Sequence, residues 1–145
     1  CLTAFIPMLM DTGGNSGSQA CVSIIRGISL NEIEFRDLGR VVWKEIRVSV
    51  LCGVCLAIAC FAKIIVVDML LLKSESVTYL VAFVVCATMA VTVCLAKIVG
   101  STLPLLAKKL GFDPAVMASP IITTIVDFLS LLVYFAFATA MLGIG

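Results

Sequence analysis

Between Pro114 and Gly145 lie 32 residues that carry a single charge, Asp127. A run of that length is enough for a helix to cross the ~30 Å hydrocarbon core of a bilayer. It restricts the chain to folds in which lipid is the main solvent. Three more runs share the property: about Leu2 to Ile25, apolar apart from Asp11; about Val41 to Val67, with its charges at the ends; and about Val77 to Val99, uncharged before Lys97. The apolar runs are continuous rather than alternating, which points to helices and not to a barrel. The expected fold is an all-α integral membrane protein, a bundle of four transmembrane helices per chain.

Composition narrows the function classes. The 145 residues are 62% hydrophobic and 13% charged, against roughly 25% charged in soluble domains. A net charge of +1 offers no footprint for nucleic acid. The absence of His removes imidazole metal sites, His-based triads and His proton relays. All seven Cys lie in apolar runs and read as small packing residues. Cys52-Gly-Val-Cys55 has redox or zinc spacing, but no second pair or His accompanies it. The chain starts at Cys1 without Met or a positive leader, and reads as part of a longer protein.

The connections differ in charge. Arg26 to Arg47 holds five basic residues, Lys63 to Glu75 two, and Lys97 to Asp113 three. The positive-inside rule places the first and third connections in the cytoplasm and the C-terminus outside. Ser29 and Glu32 have capping-box spacing and predict a short amphipathic surface helix in the first connection. Gly111 is a helix stop, and Asp113-Pro114 predicts the start of the fourth helix. Gly100 and Pro104 are expected to end or bend the third. Its small stripe, Ala82, Cys86, Ala90 and Cys94, lets a neighbour approach closely. Lys97 reads as snorkelling to an interface, and Glu45 as pairing with a basic neighbour.

Two segments can carry chemistry. The first is Pro7-Met-Leu-Met-Asp11-Thr-Gly13-Gly14-Asn15-Ser-Gly17-Ser-Gln19. Gly13, Gly17 and Cys21 fit a close-packed face, but packing alone does not require Asp11, Thr12, Asn15, Ser16, Ser18 and Gln19. Such polarity at bilayer depth needs a watery cavity or buried partners, so a pore or substrate path is favoured. The second is Ser119-Pro120-Ile-Ile-Thr123-Thr124-Ile-Val-Asp127. Ser119, Thr123 and Asp127 share a helix face, and Pro120 frees carbonyls near Val116 and Met117. These are hard oxygen ligands, suited to Mg²⁺, Ca²⁺ or water. An intramembrane carboxylate is by default part of an ion or proton path. Two such aspartates also fit an intramembrane aspartyl protease, although Met10 and Thr124-Ile-Val stand where that family has Tyr and Gly-x-Gly.

The Pro7–Gln19 element, Ile25-Arg26-Gly27, Asp113-Pro-Ala, Pro120 and Thr123-Thr124-Ile-Val-Asp127 together resemble the membrane domain of MgtE-type magnesium channels, over essentially the whole chain and in the same order. The resemblance implies a pore domain over residues 1–145, matching the second to fifth of five helices, without the cytoplasmic regulatory domains. It implies a homodimer in the lipid bilayer around a central pore, with Mg²⁺ as the transported ion. Asp127 matches the pore carboxylate, and Asn15 with the Gly-Gly turn matches the pore-lining element. The expected ion site is Asp127, Thr123, Ser119, Asn15 and Asp11, with Gly13, Gly14, Gly17, Gln19, Pro120 and Thr124 lining the pore. Two carboxylates across a two-fold axis balance a dication held through its waters. The expected function is a Mg²⁺-selective channel in the plasma (inner) membrane of a prokaryote; the alternative is a gradient-coupled exchanger.

Overall fold

The computed structural model describes residues 2–71, 77–117 and 120–143. Four long helices account for most of them: α1 (Ile6–Ser29), α2 (Leu38–Lys63), α3 (Tyr79–Lys109) and α4 (Pro120–Leu142). Short 3₁₀ turns precede α1 at Leu2–Phe5, α2 at Phe35–Asp37 and α4 at Pro114–Met117. No strand occurs among the described residues. The all-helical expectation holds.

Three stretches are long and apolar enough to cross a membrane: Phe35–Asp68, Tyr79–Lys109 and Pro120–Leu142. The chain is an integral membrane protein. α1 differs from the expectation of four equivalent spans. Its 24 residues extend about 36 Å at 1.5 Å per residue, so length is not limiting. Asp11, Thr12, Asn15, Ser16, Ser18 and Gln19 make it too polar to qualify by composition.

α3 is the hub, packing on α1, α2 and α4, while α1 also packs on α4. The small residues set these contacts. A Cβ added at Gly100 of α3 would lie 2.9 Å from the carbonyl carbon and 3.1 Å from the Cα of Gly17, so the two backbones meet directly. At Gly53 of α2 a Cβ would lie 3.2 Å from the Ala90 carbonyl oxygen, which puts the small stripe of α3 against α2. α2 has no comparable packing on α1 among the described residues, and a groove runs between them. Apolar clusters fill the bundle at three levels. Phe5, Leu9, Ile64, Val84, Val85 and Tyr134 form one end. Cys21, Ala96, Ile122 and Val126 form the middle, and Ile24, Ile28, Val41 and Leu105 the other end.

Helix ends depart from the sequence reading in instructive ways. α1 runs through to Ser29, whose hydroxyl donates back to the Ile25 carbonyl at 2.9 Å instead of capping a new helix. Asn31 takes a left-handed φ of 56°. The amides of Asn31 and Glu32 then donate to the carbonyls of Ile28 and Gly27, at 3.1 and 2.9 Å, a Schellman stop. No separate amphipathic helix follows. The capping box instead joins Glu34 and Asp37, one turn before α2. The same stop ends α3: Gly111 at φ 82°, with Gly111 and Phe112 donating to Lys108 and Ala107 at 3.2 and 2.9 Å. That one was expected at Gly111.

Gly100 and Pro104 do not end α3. Both are buried inside a continuous helix, and at Gly100 the α3 backbone meets that of Gly17 in α1. Asp113 accepts from the Ala115 amide at 2.9 Å, so it caps the 3₁₀ turn Pro114–Met117; α4 is described from Pro120 onward. Past Lys63 the chain remains helical in π form over Ile64–Leu71. Lys63 and Asp68, five apart, pair at 2.8 Å, the spacing of a π turn.

Candidate functional site

α1 has two faces. Gly13, Gly14, Gly17, Ala20, Cys21 and Ile24 are buried, whereas Asp11, Asn15 and Gln19, at i, i+4 and i+8, form a polar stripe on the side turned away from the core. A Cβ at Gly13 would fall 2.7 Å from Thr92 Cγ2 and 3.0 Å from Ser130 Oγ; at Gly17 it would fall 3.0 Å from Ile122 Cγ2 and 3.1 Å from the Ala96 oxygen. These two glycines therefore sit where α3 and α4 close on α1. Gly14 is placed differently. Its Cβ would lie 3.3 Å from Thr123 Cγ2 and 3.8 Å from Asp127 Oδ1. The missing side chain at this position brings α1 backbone up to the carboxylate.

A groove of about 150 Å³ results, lined by Met10, Asp11, Gly14, Asn15, Thr123 and Asp127. It joins four of the five expected ion-site residues and the one pore glycine that faces α4 at the carboxylate. Asp127 lies two turns into α4, about 10 Å from its start. The hydroxyls of Thr123 and Thr124 donate to the Pro120 carbonyl at 3.1 and 2.8 Å. Pro120 and Thr124 lie on the outer side of α4. Ser119 falls outside the described residues. No basic side chain is among the lining residues of this groove. Its lining brings only oxygen donors, the Asn15 amide and the Met10 thioether. Among the described residues no group of three or more His, Cys, Asp or Glu could hold a metal.

A larger groove, about 410 Å³, lies on the other side of the α1 stripe. Asp11, Thr12, Asn15, Ser16, Gln19, Cys52, Cys55, Leu56 and Lys97 line it. Two of its features were not located from sequence. Lys97 does not snorkel: its side chain is 12% exposed and its ammonium lies 3.7 Å from Glu45 Oε2, itself 11% exposed. Glu45 does find a basic neighbour, but across helices. A signal was available, since each is a charge near one end of an apolar run. Cys52 and Cys55 face this groove because α2 packs on α3 and leaves α1 uncovered. Other buried hydroxyls bond locally, as Ser130 does to Val126 at 2.6 Å and Thr88 to Val84 at 2.8 Å. Thr92 Oγ1, on the side chain that meets Gly13, has no partner among the described residues.

A bundle of long helices, three of them apolar enough to cross a membrane, with two carboxylates and a glycine-relieved backbone lining one groove, defines a class: polytopic helical membrane proteins. The MgtE family profile, described as a divalent cation transporter, matches residues 6–137, and the chain belongs to that family. It is 34% identical over 141 residues to the magnesium transporter MgtE of Bacillus subtilis, covering 97% of this chain and 30% of that protein. It is 33% identical over 141 residues to the magnesium transporter MgtE of Thermus thermophilus, covering 97% of this chain and 29% of that protein. The chain thus spans under a third of the length of these relatives. The family is one of transporters and not of enzymes, which removes the aspartyl protease reading.

Proposed function

We propose that this chain is the ion-conducting part of a Mg²⁺ channel. Two copies pair in the membrane, and the hydrated ion passes between them, held through its waters by Asp127, with Asp11, Asn15 and Thr123 beside it. The observation that carries this reading is the Asp127 groove: two carboxylates, a glycine that makes room, and no basic residue in the lining. Leaving a carboxylate at bilayer depth costs about 2.5–3.5 kcal/mol even on insertion scales, and a passing dication recovers that cost. Mg²⁺ demands six ligands and dehydrates reluctantly. One chain offers too few carboxylates to strip it, which supports an outer-sphere site shared by two chains. The membrane is the plasma membrane of a prokaryote. The connections after α1 and α3 face the cytoplasm and the C-terminus faces outward, in keeping with the basic residues gathered at that end.

The test is Mg²⁺ uptake by reconstituted protein. Asp127→Ala and Asp127→Asn abolish uptake while the protein elutes as the parent does on size exclusion. Normal uptake by either variant removes Asp127 from the mechanism. Unitary currents under voltage clamp identify a channel; uptake that requires a Na⁺ or H⁺ gradient identifies an exchanger instead. Cobalt hexaammine, a rigid mimic of hydrated Mg²⁺, competes if the ion keeps its waters at Asp127.

A further inference from the structure

The α1 stripe faces two grooves, and Asp11 and Asn15 belong to both. A cation drawn to Asp11 therefore has two directions open to it. One leads past Asn15 to Asp127. The other leads into the larger groove between α1 and α2, whose lining also includes Thr12, Ser16 and Gln19. What distinguishes the second direction is Lys97, the one charged residue besides Asp11 in its lining. Glu45 pairs with Lys97 at 3.7 Å but is not part of that lining, so the carboxylate stands behind the ammonium. The groove meets the positive end of the pair. A separation of 3.7 Å is also longer than a hydrogen bond, so Glu45 leaves the ammonium's donors unengaged. Lys97 lines only the larger groove and Asp127 only the smaller one, so the two charges belong to different grooves along the same α1 stripe.

We infer that Lys97 is a specificity-determining residue: a fixed positive charge that excludes cations from the α1–α2 groove and confines them to the Asp127 side. This deepens the transport reading and rests on it for the word "path", but the charge of the groove is measurable without transport. Cys55, exposed, and Cys52, half-buried, line the same groove and serve as native reporters.

The experiment compares anionic and cationic methanethiosulfonate reagents of similar size on the purified, reconstituted protein, with Cys55 modification followed by peptide mass spectrometry. The parent protein, with Asp11 and Lys97 both lining the groove, sets the reference ratio. In Lys97→Met the anionic-to-cationic rate ratio falls about tenfold, the effect of one unit charge acting with opposite sign on the two reagents at about 6 Å in water. Lys97→Arg keeps the parent ratio. Glu45→Gln raises it, because the ammonium loses its counter-charge; this variant also decides the matter if Lys97→Met fails to fold. A ratio unmoved by both Lys97→Met and Glu45→Gln overturns the proposal. So does complete protection of Cys55 from both reagents, since the groove would then hold lipid or protein and no water. Failure of the transport reading looks different: no Mg²⁺ uptake by the parent, with the Lys97 dependence of the ratio intact.

Discussion

The crossing of α1 and α3 at Gly17 and Gly100 is the sharpest packing constraint in the bundle, and Gly100→Ala tests it. The added Cβ meets the Gly17 carbonyl group, 2.9 Å from its carbon and 3.1 Å from the Cα. All three nearest atoms are backbone, so no side chain can turn away and the helices must separate. Overpacking commonly costs about 1–3 kcal/mol where side chains can give. Here the cost reaches the top of that range, about 3 kcal/mol, or roughly a hundredfold in the folding equilibrium. Two controls calibrate it. At Gly14 a Cβ meets Thr123 Cγ2 at 3.3 Å, a side chain that can shift, so Gly14→Ala costs under about 1 kcal/mol. At Gly39 nothing lies within 4 Å, and Gly39→Ala is neutral or gains up to about 1 kcal/mol of helix propensity. The assay is reversible unfolding in mixed micelles with a denaturing detergent, read by helicity and by size exclusion. Equal stability of Gly100→Ala and Gly39→Ala would refute the reasoning, because the two backbones would then not be in contact in the membrane.

Gly14→Leu should fill the Asp127 groove and suppress Mg²⁺ uptake without the stability loss of Gly100→Ala; uptake like the parent's places the ion path elsewhere. Single cysteines at Asp37 and Lys108 should react with impermeant reagents from the cytoplasmic side only, and reversed labelling overturns the topology. The Schellman stops predict that Asn31→Gly is neutral or stabilising, while Gly111→Ala and Asn31→Val each cost about 1–2 kcal/mol for a left-handed residue with a Cβ; the same unfolding assay measures all three.

The apolar runs of α2, α3 and α4 were legible because hydropathy over about 20 residues is a strong signal and lipid leaves the backbone few alternatives. The Asp127 groove was legible in part. Asp11, Asn15, Thr123 and Asp127 were singled out as polar groups in apolar helices, and they do meet. The three glycines could not be separated from sequence: Gly13 and Gly17 close on α3 and α4, Gly14 faces the carboxylate, and only the phase of α1 against its neighbours decides which. Pro104 shows the same limit: it is buried in the interior of a continuous helix. The stop at Asn31 has no strong cue in the sequence, because a left-handed Asn is a weaker signal than Gly. Glu45 and Lys97 each stand out as a charge near one end of an apolar run, but they lie 52 positions apart, and no local pattern announces that they pair.

α1 explains why this bundle cannot be satisfied by lipid alone. Its buried face is built from Gly13, Gly17 and Cys21, which permit the close approach that holds helices together where no hydrophobic driving force acts between them. That geometry fixes the phase of α1 and therefore forces Asp11, Asn15 and Gln19 outward. Turning the stripe inward would replace the glycines at the Gly100 contact with side chains that do not fit. Leaving it on hydrocarbon would cost several kcal/mol per unsatisfied group. The remaining solutions are water or a second polar surface of the same kind, and the proposed two-fold pairing would supply both. The residues that pack the chain thus compel the exposure of the residues proposed to carry the ion, so the packing and the proposed ion path both follow from one helix's phase.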